Sequence, residues 1–171
     1  DYVLGRIRAG VLESGTVQQL RGLDLAGRID AEGLIHDGLE IAFNGMRRRI
    51  DLGARTGGSK VTVYGQTEVT RDLMSARNGS NAQTIYEADT VVPVDFDGKN
   101  PKIHFKKNGQ YYEIKYDFII GADGYHGVCR ASVPSEAIQE FERVFPFAWL
   151  GVLADVPPVS NELIYVNHPR G

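Results

Sequence analysis

The densest chemistry lies in Tyr116-Asp117-Phe118-Ile119-Ile120-Gly121-Ala122-Asp123-Gly124-Tyr125-His126-Gly127-Val128-Cys129-Arg130. A short apolar run ends in two glycines that bracket the acid Asp123, and His126 and Arg130 follow within seven residues. Phe118 to Ile120 predicts a strand buried on both faces, because no polar residue alternates with the apolar ones. Gly121 and Gly124 permit a sharp turn and a close backbone approach to a ligand. An acid at such a strand end can accept hydrogen bonds from ribose hydroxyls, while His126 and Arg130 can meet phosphate. The same residues also describe a plain strand, a glycine-rich turn and a solvated acid.

Four other places could carry chemistry. Gly5-Arg6-Ile7-Arg8-Ala9-Gly10 sets two guanidinium groups beside two flexible glycines. Arg6 and Arg8 suit bidentate phosphate contacts, although two surface arginines in a loop fit the same pattern. Gln66 precedes a helix expected to start near Thr67; an amide at a helix N-terminus suits a phosphate or ribose, and a helix-flanking polar residue needs neither. Tyr165 lies on the strand-like run Leu163-Ile164-Tyr165-Val166. Its phenol, with an ordinary pKa of about 10, can hydrogen-bond another phenol and favour its ionisation; a half-buried sheet tyrosine is the plainer reading. His36 stands before the first hairpin, and an ordinary pKa of about 6.5 suits proton transfer as well as an exposed loop histidine.

Other groups carry less. Cys129 could be activated by a helix N-terminus and Arg130, but a buried small residue fits better, since no base is placed beside it. The four histidines lie far apart, without metal-ligand spacing, so metal binding finds no support. Gly53 to Lys60 fails the phosphate-loop order because Ser59 precedes Lys60.

The segment around Asp123-Gly124 resembles the Asp-Gly fingerprint of the single-component flavoprotein aromatic hydroxylases, which in that family serves both FAD and NADPH. Three further stretches match the family in order and spacing. They are Tyr2-Val3-Leu4-Gly5-Arg6-Ile7-Arg8-Ala9-Gly10-Val11-Leu12-Glu13, Val63-Tyr64-Gly65-Gln66-Thr67-Glu68-Val69, and Glu162-Leu163-Ile164-Tyr165 with Asn167-His168-Pro169-Arg170-Gly171. The likeness runs from end to end and resembles the branch of the family acting on 4-hydroxybenzoate.

That resemblance implies FAD contacts at Arg6, Ile7, Arg8, Ala9, Gly10, Val11 and Gln66. It implies a cofactor role for Asp123 and NADPH contacts at His126 and Arg130. Tyr165 would bind and activate the substrate phenol, and His36 would relay the phenolic proton to solvent. Related hydroxylases often carry Ser where Gly127 stands, whereas the 4-hydroxybenzoate enzymes accept Gly there. The implied reaction is hydroxylation of 4-hydroxybenzoate to 3,4-dihydroxybenzoate, using FAD, NADPH and O2. Its partners would be a small aromatic acid and O2, and the full-length protein would be a homodimer.

Relative to the family, the chain lacks the N-terminal βαβ unit with its G-x-G-x-x-G loop and the later G-D-A-A-H-type segment. It therefore reads as an internal fragment, inactive alone. Hydroxylation of another hydroxylated aromatic acid stays open, because the family's arginine for the substrate carboxylate falls beyond Gly171. So does a non-catalytic α/β binding module.

These residues need elements to hold them. The chain has 171 residues, 42% hydrophobic and 24% charged, an ordinary globular composition at a length that fits one domain. A net charge of −3 without a dominant basic patch argues against nucleic acid. Arg47-Arg48-Arg49 reads as a solvated strand face. No apolar run approaches the roughly 18 residues of a membrane span, and no signal peptide follows from Asp1-Tyr2. The lone Cys129 excludes an internal disulfide and fits a reducing cytoplasm.

Residues 11–29 predict two short helices broken by Gly15 and Gly22. Leu39-Glu40-Ile41-Ala42-Phe43 alternates and meets Asn44-Gly45, a hairpin signal that sets Glu40 opposite Arg49. Thr67 is expected to cap a helix through about Arg77. A second Asn-Gly, at Asn108-Gly109, joins 103–107 to 110–116 and sets His104 opposite Glu113. Residues 145–153 and 161–166 predict further strands, separated by Pro157-Pro158.

The fold class is α/β, or mixed α+β. By the family's pattern, residues 1–34 and 62–141 form part of an FAD-binding domain. Residues 35–61 and 142–171 form part of an interleaved β-sheet substrate domain.

Overall fold

Asn44 and Gly45 both adopt the left-handed conformation, with φ of 48° and 73°, as a tight hairpin turn demands. Asn108 and Gly109 repeat it at 51° and 77°. Both expected hairpins form, in the expected registers. The computed structural model describes residues 9–152 and 154–170, so Arg6, Ile7 and Arg8 lie outside the described residues. In chain order the elements are β1 (Val11–Glu13), α1 (Ser14–Gly22), α2 (Gly27–Glu32), β2 (Leu34–His36), β3 (Gly38–Phe43), β4 (Met46–Asp51) and α3 (Leu52–Thr56). There follow β5 (Val61–Val63), α4 (Gln66–Gly79), β6 (Asp89–Val94), β7 (Lys102–Lys107), β8 (Gln110–Lys115), α5 (Val128–Ser132) and β9 (Leu163–Val166).

The chain divides into two compact units, one ending at Ala82 and resuming at Trp149, the other Gln83–Ala148. In the first, β5 runs antiparallel between β1 and β2, with Val11 opposite Val63 and His36 opposite Val61. A second sheet has the order β4-β3-β9, in which β9 lies parallel to β3 and Tyr165 pairs with Ile41. The core gathers Val17 and Leu20 from α1, Ile29 from α2, Ala26 and Tyr64, with Leu12, Leu25 and Val69 around it. Val17 and Leu20 stand three residues apart, so one face of α1 is apolar. Burying each such side chain is worth about 1.5–3 kcal/mol. The helix stops where Asp24 turns left-handed at φ 57° and Leu25 donates back to the Leu20 carbonyl at 2.8 Å.

In the second unit β6-β7-β8 form an antiparallel sheet, and α5 packs against β6. Phe105 stacks on Tyr112 at 5.3 Å, and His104 meets the Glu113 carboxylate at 2.8 Å, as the register requires. Two short helices, two hairpins and a strand near 161–166 follow the sequence reading, except that residues 11–13 form β1 and α1 runs through Gly15.

Three expectations do not hold. The helix α4 begins at Gln66 after Gly65, so Thr67 is its second residue and no side chain caps it. Phe118 to Ile120 forms no strand; Phe118 is 86% exposed and Ile120 88%. A strand buried on both faces needs partner strands at its edges and packed layers over its faces, and the described residues supply no strand partner there. Residues 145–153 also form no strand over their described part, with Trp149 and Leu150 standing in solvent. An apolar run predicts a strand only where a partner edge exists.

Candidate functional site

Backbone hydrogen bonds draw the first group together. Ala9 and Gly10 lead into β1, and Tyr64-Gly65-Gln66 lead out of β5, so antiparallel pairing sets the two segments side by side. The Tyr64 N–H donates to the Gly10 carbonyl at 2.8 Å, and the Gln66 N–H to the Ala9 carbonyl at 3.0 Å. A Cβ built on Gly10 would sit 3.3 Å from the Gly65 Cα. Backbone therefore meets backbone closely, and a side chain on Gly10 would press the Gly65 backbone aside by a few tenths of an ångström. Gln66 is exposed and opens α4, whose N-terminal end carries partial positive charge. Ala9, Gly10 and Gln66, distant in sequence, thus stand side by side, with Val11 following on β1 opposite Val63.

The arrangement is held from behind by residues the sequence reading passed over. Tyr64 is buried, and its hydroxyl donates to Asp72 Oδ2 at 2.8 Å. Burial, then the Asp72 hydrogen bond, push its phenol up to about 12. Asp72 Oδ1 accepts from Arg28 Nη1 at 2.6 Å, and Arg28 Nη2 reaches Glu68 at 2.7 Å and Glu32 at 3.0 Å. Those three carboxylates raise the Arg28 pKa well above its ordinary value, Glu68 contributing most. A sequence signal existed: Glu68 and Asp72 share a helix face four residues apart, as do Arg28 and Glu32.

His36 and Tyr165 form the second group. His36 is buried at 7% exposure on β2, not an exposed loop residue. Its Nδ1 accepts a hydrogen bond from the Leu163 N–H at 3.2 Å, which fixes the start of β9. Arg49 on β4 grips the Glu162 carboxylate through Nε and Nη2, both at 2.7 Å, and holds it below the usual carboxylate range. The strand bearing Tyr165 is therefore anchored twice at its N-terminal end. Tyr165 itself is 59% exposed, and its hydroxyl makes no hydrogen bond among the described residues. His36 pairs with Val61 while Gly10 bonds to Tyr64. β5 thus lies between the two groups, with β1 on one side and β2 on the other.

The third group lies in the second unit. Asp123 folds back onto the start of α5, where its Oδ2 accepts from the Cys129 N–H at 2.9 Å. That bond is the main cause of its lowered pKa. The carboxylate in turn raises the Cys129 thiol, with burial adding to it, so the thiol is not an activated nucleophile. A Cβ on Gly127 would fall 2.0 Å from Asp123 Cγ, so this capping geometry exists only with glycine there. His126 sets its ring edge-on to Tyr125 at 5.0 Å, and the Arg130 guanidinium lies 4.7 Å over the same ring. Arg130 also bonds Glu140 at 3.3 Å. His126, Arg130, Ser135 and Glu140 line an open groove of about 570 Å³.

Among the described residues, no helix is long and apolar enough to cross a membrane. All 171 residues match the family described as FAD binding domain. The p-hydroxybenzoate hydroxylase of Acinetobacter baylyi is similar at 54% identity over 171 residues, which are 100% of this chain and 42% of that protein. The chain therefore spans less than half the length of that relative.

Proposed function

The chain belongs to the FAD binding domain family, and from that premise we propose that it is the part of a flavoprotein monooxygenase that binds FAD and activates a phenolic substrate. The reaction proposed is hydroxylation of 4-hydroxybenzoate to 3,4-dihydroxybenzoate with NADPH and O2, the activity named for the relative that is 54% identical. The observation that carries it is the pairing of Ala9-Gly10 with Tyr64-Gly65-Gln66. Two segments implied in FAD contact, far apart in sequence, lie side by side, with a Cβ on Gly10 only 3.3 Å from the Gly65 Cα.

The donor set fits the cofactor. The Gln66 side-chain amide offers hydrogen-bond donors and the start of α4 positive potential to a phosphate or ribose, and Gly10 leaves the backbone open to close contact. Arg6, Ile7 and Arg8, implied in FAD contact by the resemblance, belong to the same proposal. When bound, FAD supplies the redox chemistry, taking a hydride from NADPH and passing electrons to O2. His126 and Arg130 would meet NADPH from the groove beside α5, with Asp123 fixing the helix start between them.

Tyr165 would hydrogen-bond the substrate phenol and favour its phenolate, raising electron density at the ring carbon ortho to oxygen. His36 would pass the released proton onward. Because its Nδ1 accepts from Leu163, its neutral ring carries the proton on Nε2, so taking up a further proton requires the Leu163 bond to open and free Nδ1.

Residues 1–34 and 62–141 would belong to the FAD-binding domain, and 35–61 and 142–171 to the substrate domain. The sheet β4-β3-β9, drawn wholly from the latter pieces, supports that division. A cytoplasmic location and a homodimer of the intact enzyme belong to the same proposal; the free Cys129 supports the first.

The test is direct. The intact enzyme, supplied with FAD, NADPH and O2, should convert 4-hydroxybenzoate to 3,4-dihydroxybenzoate, one equivalent per NADPH consumed. Turnover only with another hydroxylated aromatic acid would move the substrate assignment. Failure to bind FAD would remove the enzyme reading altogether.

A further inference from the structure

Tyr64 has two connections that meet in one residue. Its backbone N–H is bonded to Gly10, within the pairing just described, and its hydroxyl ends on Asp72, two turns into α4. Between these lies Gly65-Gln66, the start of that helix. Arg28, from α2, clasps the same helix at Glu68 and Asp72, one turn apart, and is itself steadied by Glu32. The N-terminal turns of α4 are thus fixed from the core side by a phenol and from the α2 side by a guanidinium. Ion pairs this exposed add little stability one by one. Joined through a part-buried phenol, they instead fix one rotation and one height of the helix.

We propose that Tyr64, Asp72 and Arg28 are a positioning unit that sets the Gly65-Gln66 turn against Ala9-Gly10 and so controls FAD affinity without touching the cofactor; this rests on the FAD reading above. The Arg21–Asp30 pair supplies an internal contrast. It ties α1 to α2 on the same core, at 2.5 Å, yet makes no bond to α4. It should have no influence on FAD affinity.

The experiment uses the intact enzyme stripped of FAD and titrated with FAD by flavin fluorescence, alongside thermal melting of each apoprotein. Tyr64→Phe removes one oxygen and leaves the ring in the core, so folding is preserved even if Asp72→Asn proves too disruptive. Each single variant should weaken FAD binding about three- to tenfold. The double variant should bind no worse than the weaker single one, because both break the same unit. Asp30→Asn should leave FAD affinity unchanged, with at most a small drop in melting temperature. If Tyr64→Phe and Asp72→Asn behave like Asp30→Asn, leaving FAD affinity unchanged, the positioning role is overturned while FAD binding by wild type stands. A wild-type enzyme that binds no FAD overturns the underlying reading, and this inference with it.

Discussion

The ring of His36 takes its hydrogen bond from the backbone of Leu163, 127 residues away in sequence and two before Tyr165. One imidazole therefore holds the strand that carries the proposed substrate tyrosine. It is also the group proposed to move the phenolic proton, and the two duties can be separated. His36→Asn keeps an acceptor near the place of Nδ1 but cannot shuttle a proton. His36→Ala loses both, leaving the Leu163 N–H without its partner at a cost of about 1–3 kcal/mol. Denaturant melts should rank wild type above Asn and Asn above Ala, while both variants lose turnover. Equal melting midpoints for Asn and Ala would show that the His36–Leu163 bond contributes nothing to the fold.

Gly127 gives a second prediction. Its φ of −71° and ψ of 160° suit any residue, so strain is not the reason for glycine. The reason is the Asp123 carboxylate, which fills the place of a Cβ. Gly127→Ala should expel that carboxylate and uncap α5, costing about 0.5–2 kcal/mol. Gly127→Ser should cost less, because its own hydroxyl at the N-cap can replace the lost acceptor. Thermal melting of the two variants decides it: Ala more stable than Ser would mean that Asp123 is not the cap.

Local rules explain what the sequence made legible. Asn44-Gly45 and Asn108-Gly109 specify turn and register together, so Glu40 opposite Arg49 and His104 opposite Glu113 follow from a few adjacent residues. The side chains are less bound by register, since Glu40 pairs with Arg47 and Arg49 turns to Glu162. Phe118 to Ile120 and 145–153 failed because an apolar run says nothing about the edge it needs. The His36–Leu163 bond and the parallel pairing of β9 with β3 join remote segments, where no periodicity signals the contact. Of the candidate residues, Ala9-Gly10 and Gln66 lie side by side through backbone bonds, while Asp123 is bonded within its own loop. The support from Tyr64, Asp72 and Arg28 went unread, since Tyr64 looked like any strand-end aromatic.

Tyr64 also predicts a response to alkali. Its phenol is pushed up to about 12 by burial and by Asp72, against an ordinary value of about 10. The neutral donor form is thus favoured by folding. Its contribution is complete below about pH 10 and fades as pH rises through about 12. At neutral pH, Tyr64→Phe should lose about 0.5–1.5 kcal/mol relative to wild type. That gap should close between about pH 10 and 12. Denaturant unfolding across this range measures it, and a gap constant up to pH 12 would show that the phenol proton is not what stabilises.

Tyr165→Phe should impair hydroxylation far more than substrate binding or flavin reduction in the intact enzyme. The hydroxyl has no hydrogen bond among the described residues and the side chain is largely exposed, so its removal should leave the fold unchanged. Against bound substrate, the loss is one neutral hydrogen bond, about 0.5–1.5 kcal/mol. In the transition state the substrate oxygen takes part in pushing electron density into the ring, and the lost contact counts for more. The deficit should then appear in the rate of the oxygen-transfer step and not in substrate affinity. NADPH would still be consumed, with its reducing equivalents ending in hydrogen peroxide instead of product. Measuring NADPH oxidised against 3,4-dihydroxybenzoate formed separates the cases. If the Phe variant stays as tightly coupled as wild type, the activating group lies elsewhere and Tyr165 is an ordinary residue of the β4-β3-β9 sheet.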